Sequence, residues 1–380
     1  MEDHYRVVIV ADTHIGANRR RWLHKMGVTS GQYQKPALEA RTWARDNHAD
    51  VFIVAGDLYD QRVPTPTDYL DARQLDPDLV VAGNHDIFAL GSEDALWSMT
   101  DVMRGSASEI RRADIFGNPA IQIVGLPWPR PSDYVSDEAN LSIPGEIEAT
   151  RRALIARLET IANDLNSAKP AIGIGHVMLS YGGDRAQPRE DDIVILGKDI
   201  VIPHEDLLAL PNIGGWYLGH VHKPGKGYVG STQPTDWGDL GEKSFTVVDM
   251  TWSDNDAWVY ETWQIPYTTS LKLAVMNQDS YTNASDIIPD YDAVRLNWFL
   301  EEGEETGHAD RIQQQLEEIF GYCELIIDRE VKRVARVETP EPLSRMPVRD
   351  AALMWHENRE TKPELRDATM AAFDAITGED

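Results

Sequence analysis

Five short apolar runs, each ending in a small polar group, set the pattern of the first 220 residues. They are YRVVIVAD (5–12), ADVFIVAGD (49–57), PDLVVAGNHD (77–86), KPAIGIGH (169–176) and GGWYLGH (214–220). Continuous runs of this length, rich in β-branched residues and bounded by Gly, Pro, Asn or Asp, predict strands buried on both faces. Between them the apolar residues fall at helical spacing. Ala37, Leu38, Ala40, Trp43 and Ala44 predict a helix over 35–48, and Ile147, Leu154, Ile155, Leu158 and Ile161 another over 145–166. Strands alternating with helices imply a layered α/β domain.

From 228 to 267 the helices drop out, and YVGST, KSFTVVDM and DAWVYETWQIPY predict antiparallel strands completing the same domain. Beyond Pro266 a smaller α+β unit is expected, with strands at LKLAVM, DAVRLNWFL and CELIIDREV and an amphipathic helix at HADRIQQQLEEIF. ETPEPLSRMP (338–347) reads as a Pro-rich hinge. The last 33 residues carry Leu365, Ala368, Ala372 and Ile376 on one helical stripe. The expected division is therefore 1–267, 268–337 and 338–380.

Composition narrows the class. With 380 residues, 42% of them hydrophobic, the chain can build two cores. It has no run of 18 apolar residues, so no membrane span is expected. MEDHYRVVIV carries acidic residues where an export signal needs basic ones. The single cysteine, Cys323, excludes an intrachain disulfide and a Cys-based zinc site. A cytoplasmic location is expected, in the host cell if the gene is viral. The net charge of −27, from 36 basic and 63 acidic residues, works against nonspecific adhesion to nucleic acid. A polyanionic substrate must then be met by a local basic patch, a metal site or a partner, and the acidity itself suits solubility or high salt.

The chemistry gathers where the strands end. Asp12 and His14 follow the first run, Asp57 the second, Asn84, His85 and Asp86 the third, His176 the fourth, and His220 and His222 the fifth. Ligand sites of open α/β sheets lie outside the carboxyl ends of the strands, so five loops would converge on one edge. Each piece alone is an ordinary turn, cap or core histidine; together they are too much polar chemistry for packing. A mixed His/Asp/Asn set suits Mn2+, Fe2+ or Zn2+ better than ions that prefer all-oxygen shells. Seven such residues exceed the needs of one ion with open positions, whereas two ions sharing a carboxylate would use them all.

These residues also carry a family resemblance. DTHIG, GDLYD, GNHD, GH (175–176) and GHVH resemble the five blocks of the calcineurin-like metallophosphoesterases, and GDLYD with GNHD resembles the SbcD-type DNA-repair nucleases in particular. IQIVGLPW (121–128) and the segment YLGHVHKP through KSFTVVDM resemble SbcD segments as well. The resemblance implies an α/β/β/α sandwich with an α+β capping domain and C-terminal helices. It implies one metal held by Asp12, His14, Asp57 and His222, and a second held by Asp57, Asn84, His176 and His220. His85 would face the scissile phosphate, oriented by Asp86. Mn2+ is the expected ion, with Mg2+, Fe2+ or Zn2+ as alternatives. The implied partners are DNA, an SbcC-type SMC-like ATPase gripping the 348–380 segment, and a second copy of the chain.

The interval from Asp57 to Asn84 is short, so the helix inside it should be short too. The best basic patch is NRRRWLHK (18–25), with Arg19, Arg20, Arg21 and Lys25 around Trp22; Lys223 and Lys226 are a second candidate for DNA contact. A solvated loop is the alternative for both. Two other functions stay open: a phosphatase or small-substrate phosphodiesterase using the same site, and a non-catalytic assembly subunit.

Overall fold

The computed structural model describes residues 4–61, 63–86, 108–110, 114–117, 120–135, 142–181, 199–278, 291–300 and 305–329. The expected hinge and C-terminal helices at 338–380 lie outside them. The chain forms two compact units, 1–299 with 305–328, and 300–304 with 329–380.

The first sheet contains β1 (His4–Val10), β2 (Val51–Ala55), β3 (Leu79–Val81) and β4 (Ser108–Ile110), together with β11 (Ser244–Trp252) and β12 (Trp258–Pro266). Their order is β12-β11-β1-β2-β3-β4. The strands from β1 to β4 run parallel, while β11 pairs antiparallel with both β1 and β12. The second sheet is β10-β7-β6-β5, built from Trp216–Gly219, Ala171–His176, Gln122–Leu126 and Asp114–Gly117. The pattern of apolar runs did not separate the two sheets, because strands buried on both faces read alike in either.

Side-chain alternation explains why the runs are apolar throughout. On β1, Val7 and Ile9 point into a core shared by the two sheets, where they meet Val51, Ile53, Leu79, Ile123, Ile172, Ile174 and Met250. Their neighbours Val8 and Val10 point the other way, onto Ala37, Ala40 and Ala44 of one helix and Ala72 and Leu75 of another. The outer face of the second sheet, with Val124, Leu126 and Leu218, is covered by Leu154, Leu158 and Ile161. The layers are therefore α/β/β/α.

The described residues form seven α-helices and a 3-10 turn at Ala17–Arg19. A short α1 (Arg21–Lys25) precedes α2 (Ser30–Asp46) and α3 (Pro66–Leu75); α4 (Pro131–Tyr134), α5 (Ile143–Asp164), α6 (His204–Leu208) and α7 (Gly307–Phe320) follow. Helix α2 starts earlier than the apolar spacing predicts. Thr29 and Gln32 form a reciprocal capping box ahead of it, and Pro36 is accommodated inside. Helix α3 has 10 residues and opens on a second capping box, Thr65 with Asp68, which fits the short interval it occupies. YVGST forms no strand; its backbone makes only isolated bridges, among them Ala11 with Ser231.

Beyond β12 come β13 (Leu273–Asn277), β14 (Ala293–Leu300), α7 and β15 (Cys323–Arg329), a three-stranded sheet with a helix, as the sequence predicts for this stretch. Leu273 and Ala293 of this sheet bury against Trp237, with Trp22, Met26 and Tyr322 packed around them. A two-stranded parallel sheet, β8 (Met178–Ser180) with β9 (Val201–Pro203), follows the His176 loop.

Candidate metal centre

The five strand-end groups meet. β1 delivers Asp12 and His14, β2 delivers Asp57, β3 delivers Asn84 and His85, β7 ends on His176, and β10 leads into His220 and His222. The first two loops are laced together by backbone hydrogen bonds from Asp12 N–H to the Gly56 carbonyl and from His14 N–H to the Asp57 carbonyl, each 3.0 Å. Asp12, His14, Asp57 and His220 all adopt positive φ, from 42° to 89°, a region in which non-glycine residues are strained. Strain shared by four polar residues at one edge marks a site whose geometry the surrounding fold enforces. Gly83 is required here for space, since a Cβ would lie 2.2 Å from Asp57 Oδ1.

The donor atoms converge tightly. Asn84 Oδ1 lies 3.1 Å from His176 Nε2 and 3.2 Å from His220 Nδ1, and His176 Nε2 is 3.4 Å from Asp57 Oδ2. On the other side His14 Nε2 is 3.3 Å from His222 Nε2 and 3.8 Å from Asp57 Oδ2, and His222 Nε2 is 3.8 Å from Asp12 Oδ1. Among the described residues, the groups of His and carboxylate atoms close enough to hold an ion are Asp12–His14–His222, His14–Asp57–His85 and Asp12–Asp57–His176. All three belong to this centre, and Asp12, His14 and Asp57 each join two of them.

Burial sets the charges. Asp12, His14, Asp57 and His176 are at most 2% exposed. Loss of solvent lowers His14 well below the ordinary imidazole range, His222 to about 4, and His220, also facing His176, to about 3. All three are neutral near pH 7. Burial raises Asp12 to about 7. Burial pushes Asp57 in the same direction, but the charge and hydrogen bond of His176 overcome it and hold Asp57 below the usual carboxylate range. His176, lowered by burial, is carried by Asp57 and Asp12 to about 9.

Carboxylate and amide oxygens that only accept thus face neutral imidazoles, each of which carries one N–H and one lone pair. His14 Nδ1 and His220 Nε2 are buried without a hydrogen-bond partner. A cluster so rich in convergent N and O lone pairs fits divalent cations.

His85 and Asp86 separate. The His85 backbone N–H donates to Asp57 Oδ1 at 2.8 Å, and its ring Nδ1–H donates to the Asp60 carbonyl at 2.7 Å. The ring is half-buried and lies edge-on to His14, with centroids 4.9 Å apart. Asp86 makes no contact with that ring in the hydrogen-bond pattern. Its buried carboxylate accepts backbone N–H groups from Leu58, Tyr59 and Gly83 at 2.9–3.1 Å, stapling the β2 and β3 loops together. The expected orienter of His85 is therefore a loop staple, and Asp60 holds the ring.

The basic candidates also divide. Arg19 pairs bidentately with Asp68 at 2.8 Å, and Arg20 pairs with Asp60. Nε, Nη1 and Nη2 of Arg20 all meet internal acceptors, whereas Arg19 is an exposed residue whose two Nη atoms are engaged by Asp68. Arg21, Lys25, Lys223 and Lys226 are exposed, with Lys226 Nζ 5.4 Å from the Tyr181 ring centroid.

Several supporting residues carry no sequence-level assignment of their own. Thr235 Oγ1 lies 2.7 Å from His222 Nδ1. The Lys243 ammonium donates to the His222 carbonyl and Ser231 Oγ, each at 2.9 Å, and pairs with Asp239. Trp128 stands over His220 with ring centroids 4.7 Å apart. The segments 217–250 and 121–128 resembled family segments, which pointed to them, but nothing in their spacing told which side chain would turn toward the histidines.

A family model for the calcineurin-like phosphoesterases matches residues 5–224, the stretch that supplies every metal-site residue named above. The chain belongs to the calcineurin-like phosphoesterase family. A phosphoesterase hydrolase with divalent-metal sites accounts for the donor set at its strand ends. The chain is 23% identical over 292 residues to the SbcD subunit of the SbcCD nuclease from Staphylococcus epidermidis, covering 72% of each chain. The calcineurin-like phosphoesterase YfkN from Bacillus subtilis aligns at 15% identity over 71% of this chain and 92% of that one, with a TM-score of 0.39. No described helix of this phosphoesterase is long and apolar enough to cross a membrane.

Proposed function

We propose that this phosphoesterase is a two-metal phosphodiesterase acting on DNA, the nuclease subunit of a complex with an SbcC-type ATPase. The observation that carries the reading is the convergence of Asp12, His14, Asp57, Asn84, His176, His220 and His222 beside a half-buried His85, in a chain related to an SbcCD nuclease subunit. Asp12, His14, Asp57 and His222 would hold one ion, and Asp57, Asn84, His176 and His220 the other, with Mn2+ the proposed metal. When bound, such a pair neutralises phosphate charge and supplies a water acidic enough to give hydroxide near neutral pH.

The chain's own groups do the rest. Asp57 Oδ1 is engaged by the His85 N–H, so its Oδ2 faces the histidines. His85 donates a hydrogen bond from Nδ1–H to the Asp60 carbonyl, which leaves Nε2 as the ring atom available to meet a phosphate; as the imidazolium, its Nε2–H would protonate a leaving oxygen. Residues 1–267 would be the nuclease domain, 268–337 the capping domain, and 338–380 the segment that meets the ATPase. The exposed Arg21, Lys25, Lys223 and Lys226 are the proposed DNA contacts, and the chain would act as a dimer in the cytoplasm.

One observation favours a second reading. Arg19 and Arg20 are paired with Asp68 and Asp60 and the net charge is −27, which leaves the exposed Arg21, Lys25, Lys223 and Lys226 as the cations to meet a long polyanion. A smaller phosphate ester would need less. Incubation with Mn2+ and either linear duplex DNA or p-nitrophenyl phosphate separates the two. Nucleotide release from DNA alone supports the nuclease; cleavage of the small ester with DNA intact overturns it.

A further inference from the structure

Arg20 sits at the start of α1, beyond the loop that carries Asp12 and His14, and its side chain is only 28% exposed. It reaches in two directions. Its Nε donates to Asp60 Oδ1 at 3.0 Å, joined by Nη2 on the same carboxylate oxygen, while Nη1 donates to the Thr235 carbonyl at 2.5 Å. Both partners support histidines of the metal centre. Asp60 accepts the His85 ring proton on its carbonyl at 2.7 Å, and its carboxylate lies 3.6 Å from His14 Nδ1. Thr235, gripped by Arg20 through its carbonyl, places its hydroxyl 2.7 Å from His222 Nδ1.

We propose that Arg20 is a positioning residue of the metal centre, locking together the Asp60 and Thr235 loops that orient His14, His85 and His222. It is not a substrate contact. Three imidazoles contributed by three separate strand-end loops are thereby referred to one guanidinium. Outer partners of this kind fix ring orientation, and their loss typically weakens metal binding or activity by 10- to 100-fold. The planar fork reaches the two acceptors from different nitrogens, Asp60 from Nε and Nη2 and Thr235 from Nη1; a lysine ammonium keeps the charge but donates from one atom and loses that span. The proposal rests on the phosphoesterase centre and is indifferent to whether DNA is the substrate.

The test compares Arg20→Lys with the wild-type protein in three readouts: Mn2+ affinity of the metal-stripped chain by equilibrium dialysis, kcat and KM on bis(p-nitrophenyl) phosphate, and duplex-DNA affinity in EDTA. Mn2+ affinity should fall about tenfold and kcat by roughly 10- to 100-fold, with KM nearly unchanged. DNA affinity in EDTA should stay at the wild-type level. Wild-type Mn2+ affinity and kcat in a folded Arg20→Lys protein would overturn the proposal, as would a loss confined to DNA affinity. If thermal melting shows that Arg20→Lys does not fold, Asp60→Asn, which removes the ion pair and keeps the carbonyl that holds His85, is read against the same outcomes. If the wild-type protein with Mn2+ leaves both the small diester and duplex DNA uncut, the reading of the site as a phosphodiesterase fails, and Mn2+ affinity still decides the role of Arg20.

Discussion

His14 and His222 point their Nε2 atoms at each other across 3.3 Å. Burial keeps both rings neutral near pH 7. The tautomers that turn each Nδ1–H toward its neighbour, the Asp60 carboxylate for His14 and the Thr235 hydroxyl for His222, leave two lone pairs facing. That arrangement is unfavourable without a cation and favourable with one.

Metal uptake should therefore depend on pH through the groups that are still protonated. His176 is held at about 9 and Asp12 at about 7, so both must give up protons before binding. The folded chain binds those protons below these values, which means Mn2+ affinity rises as pH increases from 6 to 9. Titration calorimetry in two buffers of different ionisation enthalpy should detect proton release on Mn2+ binding. Affinity that is flat over this range would contradict the assignment of His176 and Asp12 as ligands.

His85 and Asp57 should separate rate from metal. His85 lies outside the proposed ligand sets, so His85→Ala should retain its Mn2+ and lose turnover by about 10²- to 10⁴-fold. Asp57 is shared by both sets, and Asp57→Ala should lose metal. Metal content after gel filtration, measured beside kcat for each variant, checks both halves.

Asp86 should matter for stability first. Its carboxylate, 2% exposed, accepts three backbone N–H groups. Asp86→Ala leaves those donors buried without partners and should cost roughly 3 kcal/mol or more. Asp86→Asn, which keeps one acceptor oxygen, should lose less. Urea denaturation of the metal-free proteins gives the order: wild type, then Asn, then Ala.

How far the sequence reached follows from which contacts are local. The proposed ligands could be read because each sits directly behind a buried apolar run: Asp57 after VFIVAG, Asn84 after LVVAG, His176 after AIGIG. What those ligands lean on could not. Arg20 meets Thr235 across 215 positions, and Asp86 meets Leu58 across 28. No periodicity links such pairs. An arginine beside a metal loop looks the same whether it awaits a phosphate or pairs with an aspartate, and in the folded chain Arg19 and Arg20 do the latter. The division into two sheets was hidden for a similar reason, since β1 and β7 present continuous apolar faces in either arrangement.

Lys243 should support the centre from behind. Its side chain is 2% exposed and pairs with Asp239, while also donating to the His222 carbonyl. Lys243→Met removes the ion pair of Asp239, which keeps only hydrogen bonds from Ser231 Oγ and Thr235 N–H, at a cost of up to about 3–5 kcal/mol, and takes one of the donors from the His222 carbonyl. Mn2+ affinity and thermal stability should both fall. Adding Asp239→Asn to Lys243→Met should restore part of the stability, which thermal melts of the single and double variants will show.

The central claim is that one centre holds two ions with Asp57 between them. Crystals grown with Mn2+ and measured at the manganese absorption edge test it most directly. Two anomalous peaks should appear, both in contact with the Asp57 carboxylate, one also beside His14 and His222 and the other beside Asn84, His176 and His220. A single peak, or a second peak that does not touch Asp57, would contradict it.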